Sequence, residues 1–465
     1  MHLLLSLALF LVLGYNALAL PTMHRPVHHV RRSRSFQIDR FKRSDYVRHG
    51  QRDLQKAYRK YGIIASASSN NEPYSSDPFD FEPFVWGFGG SGTPSDSATS
   101  SNSATTSGTA TTTSDSTESQ TTAASSEETG SVAAKSVQGD SEFVSPVLIG
   151  GQTISLDFDT GSADMWVLGS SLSSKASSDR KFYDPKTSSD YEEVDGSFNI
   201  QYGDNSYANG DLAQDLVNIG GAIVPKQVFG IATDASSEFL QDTASDGLLG
   251  LSFSKLNSFK PGPQKTFFDN VAADLEEPVF TTRLRTDAVG EYGFGVIDHS
   301  LYQGTMANIS VDSSAGFWAF KSAAYAVGNG ELTDFDDVTT AIADTGTTLM
   351  LLSPTVVKAY YAQVSGASYA SSVGGYVFPC STTPPNLTMK LGDSFTATVP
   401  GAYINYSQRG SEDWLANSFF FLAVCMGGVQ SNQGSNMQIF GDVFLKSFYV
   451  VFDQRGPSLG IALTK

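Results

Sequence analysis

The sequence predicts a mostly β protein built from two like halves. Two observations carry this. From about Glu142, short β-like runs recur between Gly, Asp, Asn and Ser punctuation: FVSPVLIGG, ISLDFDT, MWVLGS, FNIQYGD, DLVNIGG and FYVVFD. In that region only 264–275 and 356–364 read as helices. The second observation is a repeat. Phe158-Asp159-Thr160-Gly161-Ser162 is answered by Ala343-Asp344-Thr345-Gly346-Thr347. Each copy is followed by an apolar-apolar-Gly signature, Leu248-Leu249-Gly250 and Ile439-Phe440-Gly441. The separations from Asp to the last Gly are 91 and 97 residues. An early and a late motif at matching spacing indicate a duplicated unit.

The chain has 465 residues, enough for two or three folded units or one two-lobed body with tails. Residues 1–19 have an apolar core, Leu3 to Leu13, and end in the small-x-small pattern Ala17-Leu18-Ala19. This reads as a secretory signal peptide, too short for a membrane span. The protein is therefore expected to be secreted. Residues 20–61 hold 12 Lys/Arg and 3 Asp/Glu, whereas the chain from residue 62 carries 18 Lys/Arg against 45 Asp/Glu. The basic segment 20–62 is helical in character from about Arg48. It reads as a solvated helix or as a removable pro-segment covering an acidic cleft, and the opposite charge of the body favours the latter. That acidic body disfavours nucleic acid and anionic membranes as partners.

Residues 63–130 are rich in Ser and Thr, without apolar periodicity, and are expected to form a disordered linker. Cys380 and Cys425 are the two cysteines of the chain. In an oxidising compartment they are expected to form one disulfide, stabilising by about 3–4 kcal/mol. Neither has a Cys or His at ligand spacing, so no metal site is expected. After His49 the one histidine is His299, which weighs against Ser-His or Cys-His catalysis. Asn308, Asn386 and Asn405 each begin an N-glycosylation triplet.

Paired aspartates can do chemistry unaided. Each Asp lies in a tight Gly-containing turn whose donors hold the carboxylate, and Gly161 and Gly346 permit close backbone approach. Two such turns related by pseudo-symmetry bring two carboxylates together. Like charges at close range share one proton, and the pair titrates as a unit. Such a dyad can act as base toward water and as acid toward a leaving group. It needs no cofactor.

The motifs LDFDTGSADMWV, IQYGDNS, DGLLGL, GFWAF, IADTGTTLM and IFGDVFLKSFYVVFD, with AYRKYG at 57–62, resemble those of the pepsin-like aspartic proteases. The likeness is strongest to the secreted fungal group of aspergillopepsin and penicillopepsin, over about residues 142–465. It implies a bilobal β fold with pseudo-two-fold related lobes, 142–315 and 316–465, and a cleft between them. It implies Asp159 and Asp344 as the catalytic dyad, oriented by Ser162 and Thr347. Tyr202 matches the family's flap tyrosine, on a hairpin turning near Gly203-Asp204, and Trp166 the tryptophan beneath it. The family cuts between large apolar residues, and Asp204 and Ser206 match positions associated with accepting Lys before the scissile bond.

The resemblance further implies a zymogen whose pro-segment is released by acid. Lys60 is the candidate to meet the dyad, and the mature start is placed between Thr129 and Asp140. Protein substrates, the pro-segment itself and pepstatin-type inhibitors are the implied partners, and a monomer the implied state. Two features depart from the family: the long linker, and EDWLANSFFFLAV at 412–424, which reads as a substrate-contacting loop or as translated intron sequence. A non-catalytic binding protein of the same fold and a wall-associated Ser/Thr-rich protein are the rival classes. The intact Asp159, Asp344, Ser162, Thr347 and Tyr202 speak against the first, and the folded, motif-bearing body confines the second to a description of the linker.

Overall fold

The computed structural model describes residues 49–63, 129–137, 142–175, 180–201, 207–241, 244–286, 289–408 and 423–465. The expected signal peptide, residues 20–48 of the basic segment and the expected linker up to residue 128 lie outside the described residues. So do Tyr202, Gly203, Asp204, Ser206 and residues 412–422 of the Phe-rich insert.

The fold is mostly β, with large sheets, as the bilobal pepsin-like architecture requires. One sheet has thirteen strands. At one end lies the hairpin Glu192–Gln201 and Tyr207–Ile219, paired from Glu192–Gln214 to Gln201–Tyr207, where the flap hairpin was expected. At the other end lies Tyr302–Ser310. The closing strands Phe448–Asp453 and Ser458–Thr464 enter this same sheet beside Val279–Arg283 and Tyr302–Ser310. The sheet thus crosses the lobe boundary expected near residue 315. Three smaller sheets, of five, four and four strands, are built from residues after 316.

The repeat seen in sequence is a repeat in structure. The strand Gln152–Asp159 alternates in the expected period of two, sending Ile154, Leu156 and Phe158 into the core. It runs parallel to Gly247–Gly250, matching Asp157, Phe158 and Asp159 to Leu248, Leu249 and Gly250. Met165–Leu168 pairs antiparallel on the other side. In the second half Thr340–Ala343 runs parallel to Gln438–Phe440, and Met350–Leu352 pairs antiparallel to it. The late motif is therefore the middle strand of each unit. Its glycines lie against the loop that follows each Asp-Thr-Gly: a Cβ at Gly250 would meet the Ala163 backbone at 2.6 Å, and one at Gly441 would collide with the Thr347 carbonyl. Backbone bonds Leu251 N to Asp159 O (2.8 Å) and Asp442 N to Thr347 O (2.8 Å) clamp those loops.

Both expected helices form, in shorter versions with clear caps. Thr266 accepts from Asp269 N at 3.1 Å to start Phe267–Val271. Ser353 accepts from Thr355 N at 3.1 Å ahead of Pro354–Tyr361, with Pro in the first position. Cys380 and Cys425 are joined in a disulfide, Cα–Cα 4.8 Å, closing a separation of 45 residues.

The basic segment supplies a helix, Gly50–Lys60. Gly50, Asp53, Leu54, Ala57 and Tyr58 are buried, a spacing that forms one face. The helix ends in a two-bond cap: Ile63 N donates to Tyr58 O (2.7 Å) and Gly62 N to Arg59 O (3.0 Å). Gly62 takes φ 61°, which the cap demands. This stop fixes the direction of Lys60 and Tyr61.

The strand Gly130–Val137 lies inside the large sheet, between Val289–Phe294 and Glu142–Ile149. Val132 and Ala134 are buried there. Its first residue is the last of the expected linker. A cut within or after this strand would open the sheet on both sides. A processed form of the chain, as the resemblance implies, is therefore expected to begin at or before Gly130, as read by N-terminal sequencing; a start between residues 131 and 140 would contradict this.

Candidate active site

Asp159 ends its strand and Asp344 follows Thr340–Ala343, so both carboxyls emerge at equivalent ends of parallel strand pairs. Both are buried, 1% and 0% exposed. Their turns are mirrored. Gly161 N donates to Asp159 Oδ1 at 2.8 Å, and Gly346 N to Asp344 Oδ1 at 2.9 Å. Each glycine lies across from the opposite carboxyl. A Cβ on Gly161 would meet Asp344 Oδ1 at 2.6 Å, and one on Gly346 would collide with Asp159 Oδ1. Any larger residue there would push the two acids apart.

The threonines between them lock the two turns together. Thr160 N donates to Thr345 Oγ1 and Thr345 N to Thr160 Oγ1, each at 3.0 Å. The hydroxyls donate onward across the repeat, Thr160 Oγ1 to Ala343 O (2.8 Å) and Thr345 Oγ1 to Phe158 O (2.6 Å). Both residues are 1–2% exposed, so each bond replaces water that cannot reach. Sequence reasoning passed over these threonines. The available signal was their occurrence at the same place in both copies.

The outer oxygens differ. Ser162 Oγ donates to Asp159 Oδ2 at 2.6 Å, as expected. Its counterpart Thr347 is buried beside Asp344, but its hydroxyl has no well-directed hydrogen bond among the described residues. Tyr61 instead donates to Asp344 Oδ2 at 2.5 Å. Lys60 lies between the acids: its Nζ is 2.7 Å from Asp159 Oδ1, 3.0 Å from Asp344 Oδ1 and 3.1 Å from Asp344 Oδ2. The ammonium thus bridges the two inner oxygens. Lys60 was the candidate from sequence; Tyr61, its neighbour, was not singled out.

Burial and the Asp344 charge push the Asp159 carboxyl up, against the pull of Lys60. Burial acts the same way on Asp344, but Lys60 and the donors around it outweigh burial and hold it below the usual range. The two carboxyls are thus shifted in opposite directions, Asp159 above and Asp344 below its ordinary value. Burial alone would lower the Lys60 amine, yet the two carboxylates carry it above its ordinary value.

Trp166 is buried in a small core with Phe198, Ala208 and Leu212 of the hairpin Glu192–Gln201 and Tyr207–Ile219, and Phe239 stands edge-on to it at 5.0 Å. Among the described residues no cluster of His, Cys, Asp or Glu could hold a metal. No helix among them is long and apolar enough to cross a membrane.

A third acid was missed. Asp157 lies two residues before Asp159 on the same strand face, 7% exposed, with Oδ1 lacking a hydrogen-bond partner. Burial pushes it up to about 7, against the nearby Lys56. The folded state thus holds this proton at pH values where an unfolded chain has lost it. Stability is therefore withdrawn as pH rises from the ordinary carboxylate range toward 7. Asp157→Asn is expected to raise Tm at pH 7 by a few degrees and by much less at pH 4, measured by calorimetry at both pH values.

The comparisons with known proteins agree with this geometry. The family model for eukaryotic aspartyl proteases matches residues 142–464. An aspergillopepsin A-like aspartic endopeptidase of Aspergillus fumigatus is 47% identical over 466 residues, all of both chains. Aspergillopepsin-1 of Aspergillus oryzae is 48% identical over 341 residues, 73% of this chain and 83% of the relative. Penicillopepsin-1 of Talaromyces stipitatus is 46% identical over 342 residues, with the same coverage of each. With mirrored Asp-Thr-Gly turns facing one another and a family match that spans both, the chain belongs to the eukaryotic aspartyl protease family and is an aspartic-type endopeptidase.

Proposed function

We propose that the chain is a secreted acid endopeptidase made as a zymogen, with Asp159 and Asp344 as its catalytic residues. The observation that carries this is the Lys60 ammonium held between the inner oxygens of both carboxyls. A water in that position is within reach of both acids. Lys60 occupies that place while the helix Gly50–Lys60 is docked, so the pro-segment and the attacking water exclude one another.

With the segment gone, the ionised carboxylate takes a proton from water as the oxygen adds to the peptide carbonyl. The protonated partner gives its proton to the carbonyl oxygen. A neutral gem-diol forms without an acyl-enzyme. Collapse of the gem-diol returns a proton to the dyad, and the leaving amine takes one from it. Ser162 steadies Asp159 throughout; Thr347 is free to do the same for Asp344 once Tyr61 leaves. Large apolar residues flank the cut, and the flap residues Asp204 and Ser206 admit Lys before it. Tyr202 closes over the substrate, above Trp166. Pepstatin-type inhibitors compete for the same cleft, and the active form is a monomer.

The first test is hydrolysis of an unfolded protein at pH 3–5 by acid-treated enzyme. Pepstatin sensitivity is expected, and Asp159→Asn should lower the rate by about 10³-fold or more. Correctly processed wild-type protein without activity would refute the reading.

Release of the segment responds to acid in two opposing ways. Protonating the dyad removes the partners of Lys60 and loosens the C-terminal end of the helix. Asp53, near the other end, is buried against Tyr406, whose Oη donates to Oδ2 at 2.9 Å. Burial holds the Asp53 carboxyl above its ordinary range, despite Tyr406 and the nearby Arg52, Lys56 and His49. Docking therefore takes up a proton at Asp53, and falling pH favours the docked state at that end. Lys60→Ala is expected to move the activation midpoint to higher pH and Asp53→Asn to lower pH. Each shift should be about half to one pH unit, since one unit corresponds to about 1.4 kcal/mol per group. Activation followed against pH by gel and by peptide cleavage reads both, and shifts of the same sign would refute the two-ended scheme.

A further inference from the structure

The chemistry above leaves the three Asn-x-Ser/Thr triplets unused, and the fold treats them differently. Asn405 is half-buried, and its Nδ2 donates to the Cys380 carbonyl at 3.2 Å. The next two residues hold the pro-segment helix: Tyr406 bonds Asp53, and Ser407 Oγ accepts from Gly50 N at 3.2 Å. A glycan at Asn405 would compete with both. Asn386 is exposed, but its side-chain carbonyl accepts from Gly401 N at 3.0 Å, which fixes the carboxamide. Asn308 and Ser310 are both exposed, and no hydrogen bond engages the Asn308 carboxamide among the described residues.

The place of Asn308 in the sheet adds a second observation. Tyr302–Ser310 is the terminal strand of the thirteen-stranded sheet, with one neighbour, Ser458–Thr464. Its other edge pairs with no strand among the described residues. Such an edge presents unpaired backbone groups and can template pairing with another chain. Proteins block this with charge, proline or bulges. Here the register breaks between Gln303 and Ala307, which protects the first part. The regular remainder runs from Ala307 to Ser310, opposite Ile461 to Ser458. The strand YQGTMANIS contains no Asp, Glu, Lys, Arg or Pro. Its regular part thus lacks the usual protection, and the triplet lies there.

We propose that Asn308 carries an N-linked glycan, and that this glycan keeps the open edge from pairing with a second copy of the chain. In the transfer, Nδ2 attacks C1 of an oligosaccharide carried on a lipid pyrophosphate. The C1–N bond forms, the C1–O bond to pyrophosphate breaks, and Nδ2 loses one proton. The proposal rests on the secretory route argued above.

The test uses the full chain expressed in a secreting fungal host. Protein from the medium is treated with an amidase that releases N-glycans in ¹⁸O-water, and peptides covering each triplet are weighed. Heavy-oxygen label at position 308 in most of the chains, with Asn405 unlabelled, is the expected result. Secreted protein with a bare Asn308 overturns the glycan. A chain that never reaches the medium overturns the route and the glycan with it. Three variants test the edge by light scattering across a concentration series. Asn308→Gln and Ser310→Ala both remove the triplet and are expected to self-associate at least several-fold more than wild type. Ser310→Lys also removes it but adds an edge charge, and is expected to stay monomeric. Monodisperse Asn308→Gln and Ser310→Ala proteins would overturn the protective role.

Discussion

Everything at this site depends on holding two carboxyls side by side on a pair of buried, mutually bonded turns. Separately, each buried carboxylate would carry a heavy desolvation penalty. The reciprocal bonds between Thr160 and Thr345 make the two turns one object, with each threonine serving as donor and acceptor to the other half. Each bond contributes about 1 kcal/mol net, but leaving one of these buried groups unpaired costs about 1–3 kcal/mol. The arrangement is therefore stable as a complete set and poor as a partial one. The glycines complete it by leaving space where a side chain would separate the carboxyls.

That assembly bears directly on the helix Gly50–Lys60. Two adjacent acids that share a proton attract a cation strongly while ionised and weakly once protonated. Lys60 exploits this, and the cap at Gly62 aims it. The rest of the helix holds by other means, through Leu54, Ala57 and Tyr58 against the core and through Asp53 on Tyr406. If the helix is the inhibitory segment proposed above, two anchors with opposite responses to acid would let it loosen from the catalytic end first. On that reading, the shared proton that catalysis needs also sets when the segment leaves.

The open edge at Tyr302–Ser310 belongs to a different problem. The large sheet gathers strands from both halves of the chain, including Phe448–Asp453 and Ser458–Thr464, and ends on a strand with no further strand beside it among the described residues. A sheet of this breadth gains a deep core but must protect its margin. On the regular part of this strand the sequence supplies no charge or proline, and the glycan proposed at Asn308 would protect it instead.

The sequence by itself determined the duplicated unit, the β class, the identity of both aspartates and the helix that ends in Lys60-Tyr61-Gly62. These were legible because they are local: a period of two, a turn motif, a stripe of apolar positions. Even the late Leu-Leu-Gly and Ile-Phe-Gly runs were visible as spacing, though not as the middle strands they are. What only the tertiary structure decided are relations between distant residues. The bonding of Thr160 to Thr345 spans 185 positions, and Tyr61 reaches Asp344 from 283 positions away. The burial of Asp53 and Asp157, each polar in sequence, follows from what packs over them. The passage of the last two strands across the lobe boundary is likewise set by pairing partners far along the chain. Local pattern specifies which residues can take part; long-range packing alone sets which oxygen faces which donor, and so which proton moves.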